Sequence, residues 1–363
     1  WRLTTGSNAE HYGSAYLFVN YLSQRFGQET TQTVIEQPAN GIQGITDGLQ
    51  ASGHALTFDD LFADWVIANY VEDPDALDRD GIYGYRNLDL TTPPTEELNK
   101  NDLLYQATVS NYATDYIELP SDGTTVHFQG QVQTRLTNTD PYSGRRAWWS
   151  HRGDDSNTRL TRKFDLRALT ADSATPIEMD VAMWYNIEVD YDYGYVLASR
   201  DGKKWEMLEG AQMTRENPSG NSFGIAYTGE SDGWITEQFD LSPYAGSEVW
   251  IRFEYVTDDA VNTSGWLIDD VEIPAIAYAT DFEEEPTGWE SEGWLLTDNL
   301  LTQHWLLQVM HFDGNELTAV ERIPVGEDGF AELALSDTQT SIVAISAMTP
   351  ISTEPASYEL EIE

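Results

Sequence analysis

The 363-residue sequence predicts a multidomain α+β protein: a short helical N-terminal segment, then an antiparallel β-sandwich, then a small C-terminal all-β domain. Three observations carry this. Apolar residues recur at three- and four-residue spacing only before about residue 75. From about residue 100 the period changes to two, in runs bounded by Gly, Asp and Pro turn signals. The chain is also longer than one hydrophobic core usually covers.

In the opening stretch HYGSAYLFVNYLSQRFG, the residues Tyr12, Ala15, Tyr16, Val19, Leu22 and Phe26 fall on one helical stripe. Leu17, Phe18 and Tyr21 widen it, which predicts a helix buried on most sides, with Gly27 as its stop. A second helix is expected from about 58 to 71. Thr57 and Asp60 have the spacing of a capping box, and Leu61, Phe62, Trp65, Val66 and Tyr70 form the apolar face. Shorter helical pieces lie between, punctuated by Pro38, Gly41, Gly44 and Gly48. EDPDALDRDGIYGYRNLDLTTPPTEE then breaks every periodicity, which places a boundary near residue 92. Strand-like runs such as TVHFQGQVQTRL, IEMDVAMWYNIEVDYDYGYVLAS, EVWIRFEYV and GWLIDDVEI assign residues 93–275 to a sandwich. Beyond Pro274, the runs HWLLQVMHF, TAVERIPV, FAELALS, SIVAISAM and SYELEIE assign 276–363 to the third, all-β domain.

Asp and Glu total 62 against 19 Lys and Arg, a net charge of −43, and the only lysines are Lys100, Lys163, Lys203 and Lys204. Such a surface repels phosphate backbones and anionic lipid, which argues against nucleic acid as a partner and against membrane insertion. No stretch approaches the roughly 20 apolar residues of a membrane span. Cysteine is absent, so disulfides, thiolate metal sites and Cys nucleophiles are excluded. Acidic, rich in Trp and Tyr and β-patterned, the chain fits an exported protein better than a cytosolic one.

The sharpest local feature is YNIEVDYDYGYV. On an extended strand, Asn186, Glu188, Asp190 and Asp192 would share one face. Three carboxylates spaced about 7 Å apart repel one another unless solvated or bridged, and Ca²⁺ takes six to eight hard oxygen ligands. A second acidic cluster would complete such a site; Asp269 and Asp270 in GWLIDDVEI, or Asp154 and Asp155 in HRGDDS, are the candidates. The pattern alone is equally that of a solvated acidic face. The six histidines form no HExxH and no i, i+4 pair, so zinc held wholly by this chain is not expected. His11, with Tyr12 beside it, is the histidine best placed for a polar role, although a helix-start histidine bonded to backbone would look the same. GxSxG and Gly-rich phosphate loops are absent. Trp148, Trp149, Trp184, Trp205, Trp234, Trp250 and Trp266 could line a sugar-binding face, but more often such residues fill a sandwich core. Asn262-Thr263-Ser264 matches the glycosylation sequon, a weak signal when alone.

Three phrases in order, AWWSHRGDDSNTRLTRKFDL, IEVDYDYGYVLASRDGKKWEML and YTGESDGWITEQFDLSPYAGSEVWIRFEYVTDDAVNTSGWLIDDVEIP, resemble the MAM-like jelly-roll domain of immune inhibitor A-type secreted metallopeptidases. The resemblance implies that the sandwich is a jelly roll and that DYDYGYV and the later DD lie in a calcium-associated acidic region. It thereby favours Asp154, Glu188, Asp190, Asp192, Asp269 and Asp270 as calcium ligands. HYGSAYLFVNYLSQRFG and FDDLFADWVIANYVEDP resemble the helical segment that follows the metal-binding helices of a zincin catalytic domain. There an HExxH helix and a later glutamate hold zinc; none of those residues is present here. The expectation is therefore a C-terminal portion of a secreted zinc metallopeptidase, inactive by itself, with calcium in its sandwich and zinc only in the intact enzyme. Its partners would be a protein or peptide substrate and the missing N-terminal catalytic half, toward which His11 or Tyr12 could present an oxyanion donor. The opening helix would then be a cut edge with an exposed apolar face. The alternative is a non-catalytic adhesion module that grips glycans or protein.

Overall fold

Gly27 decides the form of the first helix. In the computed structural model, which describes residues 9–39, 41–79, 81–120, 125–170, 176–284, 287–335 and 339–363, helix α1 runs Ala9–Ile35. Gly27 interrupts it at φ 84°, ψ 170°, a backbone state open to glycine, so the expected stop is a kink. Burial along α1 is uneven. Tyr21 and Leu22 are buried, whereas Tyr12, Tyr16 and Val19 are 75%, 58% and 49% exposed. The helix is thus buried in its middle and not on most sides, because its apolar stripe meets partners only from Leu17 onward. Phe18, for example, sets its ring edge-on to Trp65 at 5.3 Å. Helices α2 (Gly41–Ala51) and α3 (Phe58–Val71) follow. The capping box at the start of α3 forms: the Thr57 hydroxyl accepts from the Asp60 N–H, and the Asp60 carboxylate accepts from the Thr57 N–H.

The chain divides into two compact units, residues 1–134 with 301–363, and residues 135–300. In the first, α3 lies on a five-stranded sheet in the order Glu96–Glu97, Thr114–Leu119, Thr340–Ala347, Trp305–Asp313, Glu316–Ile323. The Tyr116 hydroxyl donates to the Val66 carbonyl and the Gln308 amide to the Ala63 carbonyl, which fixes the helix on the sheet. The central strand TSIVAISA is buried on both faces. Ile342 and Ala344 meet the helices, while Val343 and Ile345 meet a second sheet in the order Leu104–Val109, Ala356–Ile362, Thr125–Gly130, Phe330–Ala334. This is why it reads as a continuous apolar run and not as an alternation. The pairing of 114–119 with 340–347, and of 104–109 with 356–362, cuts across the sequential division at 93 and 276. Pairing between distant segments leaves no mark in local composition.

The second unit is a two-sheet antiparallel sandwich. Its strands are β1 (Ala147–Trp149), β2 (Asn157–Asp165), β3 (Glu178–Ile187), β4 (Tyr193–Ser199), β5 (Gly229–Glu230), β6 (Ile235–Asp240), β7 (Glu248–Val256), β8 (Gly265–Ile273), β9 (Trp289–Glu292) and β10 (Leu295–Thr297). One sheet holds Glu206–Met207, β4, β7, β2 and β9; the other holds β5, β3, β8, β1 and β10, with β6 on β3 and Tyr278–Thr280 on β8. Strict alternation builds the core between them: Val181, Met183, Tyr185 and Ile187 from β3 face Val249, Ile251, Phe253 and Tyr255 from β7. Trp266, fully buried, sits at the centre against Phe253, Tyr227 and Trp294. Among the described residues, no helix is long and apolar enough to cross a membrane.

Candidate metal centre

The acidic run does not form one extended strand. Strand β3 ends at Ile187, and residues 188–192 carry the chain from one sheet to the other before β4 begins at Tyr193. Asp190 adopts φ 69°, the left-handed state that Asp tolerates better than most residues. Thr228 ties the corner together: its hydroxyl accepts from the Asp190 N–H and donates to the Glu188 carbonyl, which also accepts the Asp192 N–H. The corner turns the intended row into a pincer, with Glu188 at one end and Asp192 at the other.

A third carboxylate comes from the loop joining β7 to β8. Oxygens of Glu188, Asp192 and Asp258 lie within 4.8 Å of one another. The Asp258 N–H donates to Asp192 Oδ1 at 2.9 Å, and the Tyr255 hydroxyl donates to Asp192 Oδ2 at 3.3 Å. Asn221 Nδ2 spans the Tyr191 carbonyl and Asp258 Oδ2. Two glycines make room. A Cβ on Gly194 would lie 2.9 Å from the Trp266 ring, and one on Gly265, at φ 88°, would lie 2.6 Å from the His151 carbonyl oxygen. The first lets β4 settle over the core just after Asp192; the second closes the loop that delivers Asp258.

Electrostatically the cluster is short of positive charge. Asp192 is 1% exposed. Burial, then the charges of Asp192, Asp258 and Asp154, push the Glu188 carboxyl up to about 7. Burial likewise pushes Asp192 up to about 6, against the lowering effect of the Asp258 N–H and the Tyr255 hydroxyl. Glu188 Oε2 is buried without a hydrogen-bond partner. Nearby, Arg152 places its guanidinium on Asn262, donating from Nε to Oδ1 at 2.6 Å. An orphaned carboxylate oxygen among three converging acids is what a resident cation would satisfy, and the donor set, oxygen only, suits a hard divalent ion.

Of the residues expected from sequence, Glu188 and Asp192 thus come together. Asp154 stands close enough for its charge to act on both, while its Oδ1 accepts from Asn262 Nδ2 at 2.7 Å. Asp190 lends its carbonyl oxygen to the hydroxyls of Tyr193 and Ser219. Asp269 and Asp270 do another job, on the outer side of β8. Asp269 Oδ2 accepts the Ser143 N–H and Oδ1 the Asp270 N–H, and the Ser143 hydroxyl donates to Asp270 Oδ1. Burial pushes Asp269 up to about 7 in spite of those donors. A β-bulge between Asp269 and Val271 produces this arrangement. The side chain of His11 lies outside the described residues, and Tyr12 points its ring into solvent. Asp258 was missed from sequence. Its signal was present: the pair Asp258-Asp259 falls in the short loop between two strands that periodicity had already identified.

Residues 111–291 match the family described as Immune inhibitor A-like, MAM domain. Among curated proteins, the pre-pro-metalloprotease PrtV of Vibrio cholerae is 34% identical over 139 residues, 38% of this chain and 14% of that protein. Immune inhibitor A of Bacillus thuringiensis is 30% identical over 167 residues, 43% of this chain and 22% of its own length. Bacillopeptidase F of Bacillus subtilis is 35% identical over 89 residues, 24% of this chain and 5% of its own. The chain spans less than a quarter of the length of each of these relatives. The three phrases that resemble the MAM-like domain lie inside 111–291 and include the whole carboxylate cluster, whereas the two helical phrases, at 11–27 and 58–74, lie outside it. Residues 111–291 of this chain are thus an immune inhibitor A-like MAM domain.

Proposed function

We propose that this chain is an accessory portion of a secreted zinc metallopeptidase, and that its sandwich unit is held by calcium bound to Glu188, Asp192 and Asp258, with Asp154 at the margin. The observation that carries the calcium reading is the orphaned Glu188 Oε2 facing two further acids inside the MAM domain. Three carboxylates supply part of the six to eight oxygens that calcium takes, and water or carbonyl oxygens supply the rest. Zinc prefers nitrogen and sulfur donors, which this cluster lacks, so zinc belongs to the catalytic part of the enzyme. The peptidase reading rests on relatives such as the Vibrio cholerae metalloprotease. In it, zinc would activate water for attack on the peptide carbonyl, and the protein substrate would be cut by residues other than those of this chain. Exposed Tyr12, Tyr16 and Val19 supply a face on which catalytic-domain helices could pack.

Isothermal titration of CaCl₂ into the EDTA-stripped, dialysed chain tests the cation. Heat of one-site binding is expected from the wild type and from Asp269→Asn, and none from Glu188→Gln. Equal binding by Glu188→Gln refutes the ligand set. Incubating the zinc-supplied chain with casein tests the division of labour: no hydrolysis is expected, and chelator-sensitive cleavage by the pure chain overturns it.

A further inference from the structure

A different site opens on the outer side of β3. Met183, Tyr185 and Ile187 point into the sandwich core, so Trp184 and Asn186, which alternate with them, face the opposite way. There they meet a cavity of about 260 Å³ lined also by Asn138, Glu230, Asp232 and Gly233. Its geometry is built. Glu230 stands opposite Asn186 in the β5–β3 register, with Asn186 Nδ2 3.5 Å from Glu230 Oε1. That contact is long enough to leave both groups capacity for a ligand. Asp232 at φ 52° and Gly233 at φ 120° fold the turn back toward β3. Trp234 Nε1 donates to the Asp140 carbonyl at 2.8 Å, which pins the segment bearing Asn138 beside that turn. Tyr142, 49% exposed, lies 5.7 Å from the ring of Trp234, the residue that follows Gly233 of the lining, and the two make an aromatic platform.

We propose that this pocket binds a single terminal residue of a neutral saccharide. Two side-chain amides and two carboxylates offer paired donors and acceptors, the complement of adjacent sugar hydroxyls. No cation lines the cavity, so a sialic acid or a sugar phosphate would face two carboxylates with nothing to offset its charge. A bound metal is a poor alternative, because Glu230 and Asp232 join no group of three converging ligands among the described residues. The volume lies just below the roughly 300 Å³ at which small-molecule pockets usually begin, which suits one ring. The Tyr142–Trp234 platform would cover the apolar face of the next sugar unit. None of these residues belongs to the carboxylate cluster, so the site stands apart from the calcium and peptidase readings.

Saturation-transfer NMR on the full chain, in EDTA so that divalent ions play no part, tests the proposal. The probes are the methyl glycosides of glucose, galactose, mannose and N-acetylglucosamine, with sialic acid as the anionic control. At least one neutral glycoside should bind with a Kd of about millimolar order, and Asn186→Ala and Glu230→Ala should each weaken it roughly tenfold at unchanged melting temperature. Asp232→Ala, on an exposed turn, serves where either variant fails to fold. Absence of transfer to all four glycosides overturns the site, as does equal transfer to sialic acid or undiminished binding by the variants.

Discussion

Chelation should cost the sandwich unit stability in a manner that depends on pH. Without a cation, Asp192 and Glu188 hold protons more tightly than in the unfolded chain, up to about 6 and about 7. An acid whose folded value is raised contributes stability below its unfolded value and loses that contribution as pH rises through the folded one. The EDTA-treated chain should therefore weaken between about pH 4 and pH 7. For buried Asp192, moving from 3.8 to about 6 corresponds to about 3 kcal/mol. Calcium binds the deprotonated acids, so the loaded chain should show the opposite trend and the gap between the two should widen with pH. Calcium at a hundred times its Kd adds about 2.7 kcal/mol, comparable to the repulsion it relieves. In a unit of this size each kcal/mol moves Tm by about 2–4 °C, so the expected gap at pH 8 is roughly 6–10 °C. The assay is thermal melting followed by tryptophan fluorescence, with and without EDTA, at pH 5 and pH 8. Asp192→Asn should melt higher than wild type in EDTA at pH 8 and should lose the calcium increment. A calcium increment equal at both pH values, or one retained by Asp192→Asn, would refute the reasoning.

Two further perturbations follow from the packing. Trp266→Ala removes a fully buried indole at the centre of the sandwich and should cost about 3–5 kcal/mol in urea denaturation; an unchanged midpoint would mean that the centre of the core lies elsewhere. Asp269→Asn replaces a carboxylate that accepts two backbone N–H groups, one on each oxygen, with a group that can accept at only one. It should cost about 1–3 kcal/mol and speed amide exchange at Ser143 while leaving calcium binding intact. Loss of calcium binding with no change at Ser143 would place Asp269 at the metal instead.

The sequence conveyed element types better than partnerships. The Thr57–Asp60 capping box, the α3 helix and the strand-like runs that hold β3 and β7 are local facts, set by spacing within a dozen residues, and each appears as expected. The opening helix was harder, because its stripe says that Tyr12, Tyr16 and Val19 share a face but not where neighbours end. Harder still was the first unit, whose sheets join residues 104–130 to residues 305–362. The continuous apolar run SIVAISAM records that both faces are buried and is silent on which strands bury them.

The acidic run shows where the period-two rule fails and why the metal reading survives that failure. The rule assumes an unbroken strand, and on such a strand Glu188, Asp190 and Asp192 would be strung out about 7 Å apart, too far to share one ion. The strand ends at Ile187, and the 188–192 corner, with Asp190 left-handed at its middle, brings the first and last acids together. What identifies this as a corner is the change of sheet: β3 pairs with β8 while β4 pairs with β7, so the chain must cross the sandwich between Ile187 and Tyr193. The crossing exposes the end of the core, and β7 ends at the same place, which is why the acid just beyond it, Asp258, completes the group. Asp269 and Asp270 lie partway along β8, displaced outward by the bulge, and no register shift of that strand alone would bring them to the crossing. The centre is therefore a property of where two strands end together, and the residues to seek in such a chain are the acids just past a strand that closes beside the corner.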